Sequence, residues 1–127
     1  MKEAIKKKIL EAVRTIPKGY LNDRVIKETI RCVLYDVLKE QGFRPVPAFR
    51  NPRFPEGPVD MVGVKDDHAV AVAFCSHPTI ELKDIKSLER MACERKFVIS
   101  FSRNQEKVQM STFFLKPGIE HIYIYQK

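Results

Sequence analysis

Two apolar stretches of strand length, separated by a short charged turn, limit the possible folds of this chain more than any other feature. They occupy residues 57–64 and 69–75, and the turn between them reads Lys-Asp-Asp-His. Apolar runs bounded by turn residues predict strands, so we expect these two to be neighbours in one sheet. A helix and a further strand at 97–101 follow, and a strand that returns through a helix pairs in parallel with its predecessor. The order therefore predicts an α/β protein with a mixed sheet.

The 127-residue chain has the composition of one folded domain, with 44% hydrophobic and 31% charged residues and no low-complexity tract. A chain of this length can bury roughly two-thirds of its unfolded surface around a single core. We therefore expect one domain over residues 1–127. Its core should lie at about 23–101, with an N-terminal helix at 3–16 and an extension of the sheet at 107–126.

Several features favour a cytoplasmic protein. The first residues contain three consecutive lysines and lack the apolar stretch of about 7 to 15 residues that a secretory signal requires. No segment reaches the ~20 apolar residues of a membrane span. The three cysteines, Cys32, Cys75 and Cys93, form no C-x-x-C pair, and an odd number of thiols suits a reducing compartment.

The positive charge is confined to the first half of the chain. Residues 1–53 contain 13 Lys and Arg against 6 Asp and Glu, whereas residues 54–127 contain 10 of each, so the first half carries the whole net charge of +7. Such asymmetry is typical of proteins that bind polyanions, although basic surfaces also serve solubility alone.

Two amphipathic helices are predicted in this basic half. Apolar residues recur at helical spacing over residues 5–16 and again over residues 26–38. A capping candidate, Asn22 or Asp23, precedes the second helix, and Gly42 ends it.

Basic side chains lie in two places in the same half. One group forms a stripe on the second helix at i, i+3 and i+7, which is either a solvated face or a phosphate contact. The other lies on or beside the proline-rich segment 43–58, whose Pro45 and Pro47 predict an edge strand. Arginines on a stiff segment lose less entropy when they bind phosphate. The candidate nucleic-acid contacts are Arg24, Lys27, Arg31, Arg44, Arg50 and Arg53.

The second half is predicted to finish the sheet. We expect a third helix over residues 79–95, an extended piece over 108–115 and a last strand at 121–125. Tyr123 and Tyr125 share one face of that strand, where they either stack bases or pack against neighbours, and packing is the commoner role.

The order of these elements, together with the Gly57-Pro58-Val59-Asp60 strand start, resembles the PD-(D/E)xK, or restriction-endonuclease-like, superfamily. The resemblance implies a three-layer sandwich in which helices flank a central mixed sheet, with Asp60 near the middle of the sheet. In that superfamily the aspartate and an acid on the next strand hold Mg²⁺, and a lysine two residues later orients the attacking water. Here the acid, spacer and lysine positions would hold Ala73, Phe74 and Cys75.

The resemblance thus implies one intact catalytic and metal-binding position, Asp60, although a single aspartate can also cap a turn or pair with an arginine. Losing even one electrostatic catalytic group costs about 10²- to 10³-fold in rate, so we expect no efficient hydrolysis from this pattern. Some members of the superfamily carry the missing acid or lysine on the following helix, and the family often carries an auxiliary carboxylate on the helix before the sheet. The candidates are Glu81 and Glu28, with Lys83 and Glu89 as further possibilities. No cofactor is expected unless the protein is active, in which case it would use Mg²⁺.

A zinc site at Cys75, His77 and Cys93 is a weaker alternative, because the spacing matches no zinc signature and a fourth ligand, His68 or His121, must be added. A buried, unreactive thiol explains Cys75 better. A Cys75 nucleophile assisted by His77 is no better supported, because nothing implies an oxyanion pocket.

Three functional hypotheses follow. The first is a catalytically degenerate nuclease-like domain that binds nucleic acid, with DNA as its partner, through the basic half. The second is an active Mg²⁺-dependent nuclease with a migrated acid. The third is a protein-interaction or structural subunit that uses the edge at 121–125 to form a homodimer or to dock another chain.

Overall fold

The computed structural model describes residues 1–126, in which five strands form one mixed sheet. The strands lie in chain order across the sheet, so β1 and β5 are its edges. The first three are antiparallel to one another, and β3, β4 and β5 are parallel. Their bounds are β1 Arg44–Phe49, β2 Val59–Val64, β3 Val70–His77, β4 Arg95–Ser100 and β5 Ile119–Tyr123.

Of the four α-helices within residues 1–126, three cover the two faces of this sheet. Helices α1 and α2 pack on one face and α3 packs on the other, while α4 follows β4 and leads to β5. The three-layer α/β sandwich with a central mixed sheet is therefore confirmed. No helix within residues 1–126 is long and apolar enough to cross a membrane. The bounds are α1 Lys2–Arg14, α2 Asp23–Glu40, α3 Leu82–Glu89 and α4 Gln105–Ser111, with short 3₁₀ turns at Lys18–Tyr20 and Thr112–Phe114.

Helix α2 forms where its apolar spacing and its cap predict it. The Asn22 side-chain oxygen accepts a hydrogen bond of 2.9 Å from the Val25 backbone N–H, which satisfies one of the free donors of the first turn. Ile30 and Leu34 are fully buried against the sheet. The helix therefore presents one continuous apolar face to β2 and β3, and its position along the sheet is fixed by that burial.

Gly63 on β2 allows α2 to lie close to the sheet. A Cβ atom at this position would stand 2.9 Å from Cδ2 of Leu38 and 3.0 Å from Cγ1 of Val72. Both neighbours are buried core side chains with little room to move. A side chain at position 63 would therefore force the end of α2 away from β2.

Helix α3 is shorter than the predicted 79–95. It spans Leu82–Glu89 and packs Ile85 and Leu88 against the opposite face of the sheet. It ends early because Arg95 already pairs with Val72 in the parallel ladder. The chain must leave the helix before that point to enter β4.

The predicted extended piece at 108–115 is wrong, because most of it is helical. Helix α4 is capped by Asn104, whose side-chain oxygen accepts a hydrogen bond of 3.1 Å from the Lys107 N–H, and it buries Val108 and Ser111 three residues apart. A local cap and the burial of one helical face decide the structure here. Within the predicted extension at 107–126, only β5 joins the sheet.

The two sheet edges differ in their chemistry. Edge strand β1 carries Pro45 and Pro47, which cannot donate hydrogen bonds to a further strand, and the prediction of an edge strand is confirmed. Edge strand β5 contains no proline. Of the two, β5 is the edge whose backbone remains competent to pair.

Candidate functional site

Asp60 lies on β2, between β1 and β3, and its side chain turns towards α2. Only 5% of the residue is exposed. A carboxylate at this depth is costly unless charged or hydrogen-bonding groups surround it. The partners that meet this cost define the site.

Three residues surround the Asp60 carboxylate, and with it they form what we call the Asp60 cluster. Lys27 Nζ on α2 lies 2.9 Å from Oδ2, and Arg31 Nη2, one helical turn later, lies 2.9 Å from Oδ1. On β3 the backbone N–H and the hydroxyl of Ser76 each donate to Oδ2 over 2.6 Å. Lys27 donates as well to the Ser76 carbonyl oxygen. Both carboxylate oxygens are therefore occupied by donors from the protein itself.

The electrostatics of the cluster favour an ionised Asp60. Burial alone would raise its pKa, but the hydrogen bonds from Ser76 and the charges of Lys27 and Arg31 outweigh burial and lower the pKa below its ordinary value. Asp60 is thus an anion held by two cations, and the cluster carries a net charge of about +1 at neutral pH.

The side chains of β3 alternate between the two faces of the sheet. Ser76 and Phe74 lie on the face of Asp60 and α2, whereas Ala73 and Cys75 pack on the face of α3. The two residues that the resemblance placed at the acid and lysine positions therefore lie on the opposite face from the Asp60 carboxylate, and neither Phe74 nor Ser76 is an acid or a lysine.

A magnesium ion does not fit the Asp60 cluster. Mg²⁺ requires octahedral oxygen ligands at about 2.0–2.1 Å, with at least one carboxylate free to bind it. Here four donors occupy the one carboxylate. Within residues 1–126 no three His, Cys, Asp or Glu side chains are grouped so as to hold a metal. The ammonium of Lys27 and the guanidinium of Arg31 take the place that a metal would need.

The acids predicted to have migrated are engaged elsewhere. Glu28 Oε1 lies 3.4 Å from Arg31 Nη1 at the exposed side of α2, so it reaches the Asp60 cluster only through that arginine. Glu81 lies beside α3, with Oε2 3.8 Å from His77 Nε2 and Oε1 3.4 Å from Lys83 Nζ. Since His77 follows Ser76 on β3, its side chain and Glu81 belong to the opposite face of the sheet.

A second buried carboxylate occupies that opposite face. Asp84 on α3 is 5% exposed, and its Oδ2 is hydrogen-bonded to His77 Nδ1. Burial raises the pKa of the neighbouring Cys75 thiol well above its usual range, with the charges of Asp84 and Asp60 adding to the effect. Cys75 is 1% exposed and packs among apolar side chains, so it behaves as a small buried residue.

The six predicted phosphate contacts do not form one continuous surface. Lys27 and Arg31 point to Asp60, and Arg24, one turn earlier, is exposed. Arg44 pairs with Val64, which packs on the face of α3, so Arg44 lies on the other side of the sheet from α2.

The remaining two arginines lie on a loop that is tied to α3. Arg50 Nη2 donates to the Pro55 carbonyl oxygen over 3.3 Å, and Arg53 is exposed. Glu56 accepts a hydrogen bond of 2.9 Å from Arg90 Nε, which lowers the pKa of Glu56. Arg90 also stacks over the ring of Phe54. The loop therefore presents its arginines from an anchored backbone.

Sequence reasoning missed Ser76 and Asp84 and misjudged Lys27. A small polar residue at the end of an otherwise apolar strand was a usable signal for Ser76. Nothing in the sequence pairs His77 with Asp84, because that contact depends on where α3 crosses β3. Lys27 was recognised as a basic residue on the correct stripe, but its inward direction follows only from the packing of α2 on β2.

A repair endonuclease from Pyrococcus abyssi, known from its crystal structure, is similar to this chain with a TM-score of 0.43 and 17% sequence identity. The match covers 84% of this chain and 49% of that one, so the chain spans about half the length of that endonuclease. No family model and no curated protein sequence matches the chain.

Proposed function

We propose that this chain is a catalytically degenerate, PD-(D/E)xK-like domain that binds nucleic acid, with DNA as the expected partner. The observation that carries the proposal is the Asp60 cluster, in which two cations and Ser76 occupy the only acid at the centre. An acid saturated in this way offers no vacant oxygen to a metal. The Asp60 cluster is then a positively charged site and not a catalytic one.

The partly exposed cations of the cluster support a polyanion as ligand. Asp60 neutralises one of the two cations and Glu28 pairs with Arg31 on the exposed side of α2, while the side chains of Lys27 and Arg31 remain 21% and 25% exposed. Exposed Arg24 lies one turn away on the same helix. Phosphate contacts of this kind position a nucleic acid without reading its sequence.

The anchored loop supplies the second set of contacts. Arg50 and Arg53 are exposed on a segment that the Glu56–Arg90 pair ties to α3, so these arginines lose less entropy on binding than they would on a flexible loop. The loop adjoins β2, where Asp60 lies. Together the helix and the loop provide backbone contacts for a strand or a duplex.

The test is the salt dependence of DNA binding, measured by fluorescence anisotropy between about 50 and 200 mM salt. We expect log affinity to fall linearly with log salt concentration. Replacing Arg24, Arg50 and Arg53 together by alanine should reduce the slope by about 0.9 for each contact removed. A matched variant with Lys83, Lys107 and Lys116 replaced by alanine loses the same charge from the second half and should keep the slope. Binding that is absent at low salt, or equal loss in both variants, contradicts the proposal.

A cleavage assay separates the degenerate domain from an active nuclease. With Mg²⁺ or Mn²⁺ we expect no cleavage that depends on Asp60. Cleavage that disappears both in Asp60→Ala and in Glu28→Ala or Glu81→Ala would establish the active alternative.

The proposed compartment is the cytoplasm.

Self-association is the second candidate function, because β5 is an edge strand without proline. A homodimer would add strands at this edge. Sedimentation velocity at micromolar concentration distinguishes the cases, since a monomer that binds DNA leaves the dimer unsupported.

A further inference from the structure

A groove of about 340 Å³ lies between α4 and β5, remote in sequence from the Asp60 cluster. We call it the α4–β5 groove. Its β5 side is aromatic and comes from His121, Tyr123 and Tyr125. The ring planes of His121 and Tyr123 are within 10° of parallel, and Tyr123 meets Tyr125 edge to face. Tyr123 is fixed by its hydroxyl, which donates to the Ser102 carbonyl oxygen over 2.7 Å.

The opposite wall of the α4–β5 groove is polar without being charged. It contains the side chains of Gln105 and Gln109 on α4, and Gln126 closes the end of the groove. Each amide offers both a donor and an acceptor in one plane. Such groups match the edges of planar heterocycles, whose donors and acceptors also lie in a plane.

The groove lining carries no fixed charge. His121 is the one titratable imidazole in it, and burial, together with the charge of Lys2, lowers the pKa of His121 below its ordinary value. Its Nε2 is 2.8 Å from the Ser100 hydroxyl. A neutral imidazole therefore faces the groove at pH 7, and a phosphate or a carboxylate finds no cation inside it.

Cations stand instead around the rim. Arg103 lies over the Tyr125 ring at 4.8 Å from its centroid, and Lys6 donates to the Gln126 carbonyl oxygen. Lys2 is close enough to His121 to affect its titration. A neutral aromatic groove with a positive rim is complementary to a nucleotide, because the base is planar and uncharged and the phosphate is anionic.

We infer that the α4–β5 groove holds one unpaired nucleobase, with the adjoining phosphate on the rim formed by Lys2, Lys6 and Arg103. This inference deepens the proposed function and rests on it, because it names a single-stranded segment as part of the ligand. The base stacks on the partly exposed rings of His121 and Tyr125, and the glutamine amides hydrogen-bond its edge. A paired base cannot enter, because its edge is already used and its faces are stacked.

The experiment compares three labelled DNA ligands on the wild-type chain at low salt. They are a single strand, the same strand with abasic sites, and the matching duplex. Base stacking on an aromatic side chain contributes enough that the single strand should bind about tenfold more tightly than the abasic strand. Equal affinity for all three ligands would overturn the groove and leave general phosphate binding intact. If none of the three binds, the proposed function fails as well.

Variants at Tyr125 separate stacking from folding. The Tyr125 hydroxyl is buried without a hydrogen-bond partner, so Tyr125→Phe removes nothing that the fold uses. We expect Tyr125→Phe to bind the single strand like the wild type. Tyr125→Leu should lose about tenfold in affinity for the single strand and nothing for the abasic strand. Equal losses on both strands would indicate a structural role and overturn the inference.

An exposed glutamine pair provides the charge test. Gln109→Glu places a negative charge of the same size in the groove wall, whereas Gln41→Glu adds it at the exposed end of α2. Gln109→Glu should weaken binding of the single strand by more than Gln41→Glu does.

Competition with a free nucleoside monophosphate identifies the source of the base. Displacement of the strand only by another strand supports the inference, whereas saturable monophosphate binding that no strand displaces overturns it.

Discussion

The molecule contains two buried carboxylates that lie on opposite faces of the same strand pair, and their surroundings differ. Asp60 and Asp84 are each 5% exposed, and their β3 partners, Ser76 and His77, are consecutive residues. Asp60 is compensated by two side chains that are cationic at neutral pH, Lys27 and Arg31. Asp84 is compensated by an imidazole, which is charged only when protonated.

One scaffold can therefore carry either a fixed or a variable charge at the same depth. On the α2 face Asp60 meets a lysine and an arginine, which are both charged at neutral pH, and the arginine also pairs with Glu28. On the α3 face the acid and imidazole are matched one to one, with Glu81 at the margin. The cations of the α2 face are thus permanent, whereas the charge of the α3 pair depends on the protonation of His77.

Asp60→Ala should have the largest effect on stability, because it leaves Lys27 and Arg31 partly buried and without their counter-charge. Breaking a buried pair from one side typically costs about 3–5 kcal/mol, and the partial exposure of both cations places the expected loss near the lower limit of about 3 kcal/mol. Urea denaturation monitored by circular dichroism measures it. A loss below that of Asp84→Asn would remove the contrast between the two carboxylates.

Lys27→Met should cost less, because Asp60 keeps its hydrogen bonds from Ser76 and its pairing with Arg31. Removing one charged hydrogen bond is expected to lower the free energy of unfolding by about 1.5–3 kcal/mol. Lys39→Met, on the exposed last turn of the same helix, is the matched control and should be close to neutral. Equal losses in the two variants would mean that Lys27 does not support Asp60.

Asp84→Asn should cost less again, about 1 kcal/mol, because asparagine can still accept a hydrogen bond from His77. Thermal and urea unfolding at neutral pH measure it. Asp67→Asn on the exposed turn before β3 is the control. A loss equal to that of Asp60→Ala would show that His77 depends on the charge of Asp84 as strongly as α2 depends on Asp60.

The pH dependence of Asp60→Asn is the finest test of the comparison. The pKa of Asp60 is lowered in the folded chain, so its ionised form adds stability above the unfolded pKa of about 3.9. That stability is lost as the pH falls through the folded value. The stability difference between wild type and Asp60→Asn should therefore be largest near neutrality and shrink below about pH 4. A difference that does not change with pH would contradict an ionised Asp60.

The sequence predicted the layers of this fold better than the detail of its centre. Apolar spacing over residues 5–16 and 26–38 located both helices of one face, and Pro45 marked the sheet edge, because these signals are local. The end of α3 at Glu89 depends on the pairing of Arg95 with Val72, which is a contact distant in sequence. The helix at 105–111 was missed because a helix of seven residues is too short to show a clear apolar periodicity.

The candidate site shows the same limit. Asp60 was predicted as the central acid from its place in a strand, and it is central. Its partners were not predicted, because an exposed stripe and an inward one look alike until α2 is docked on β2. The order of elements named Ala73 and Cys75 but could not show that they face α3, because a shift of one residue in strand register exchanges the two faces.

Gly63 affects the geometry of the Asp60 cluster although it contributes no side chain to it. Because Gly63 has no side chain, the C-terminal turns of α2 pack directly on the sheet at Leu38. The same helix carries Lys27 and Arg31 nearer to its N-terminus. A larger side chain at position 63 would push the C-terminal end of α2 away from β2 and tilt the helix. Gly63 has no functional group, but its contact with α2 thereby determines how closely Lys27 and Arg31 approach the Asp60 carboxylate.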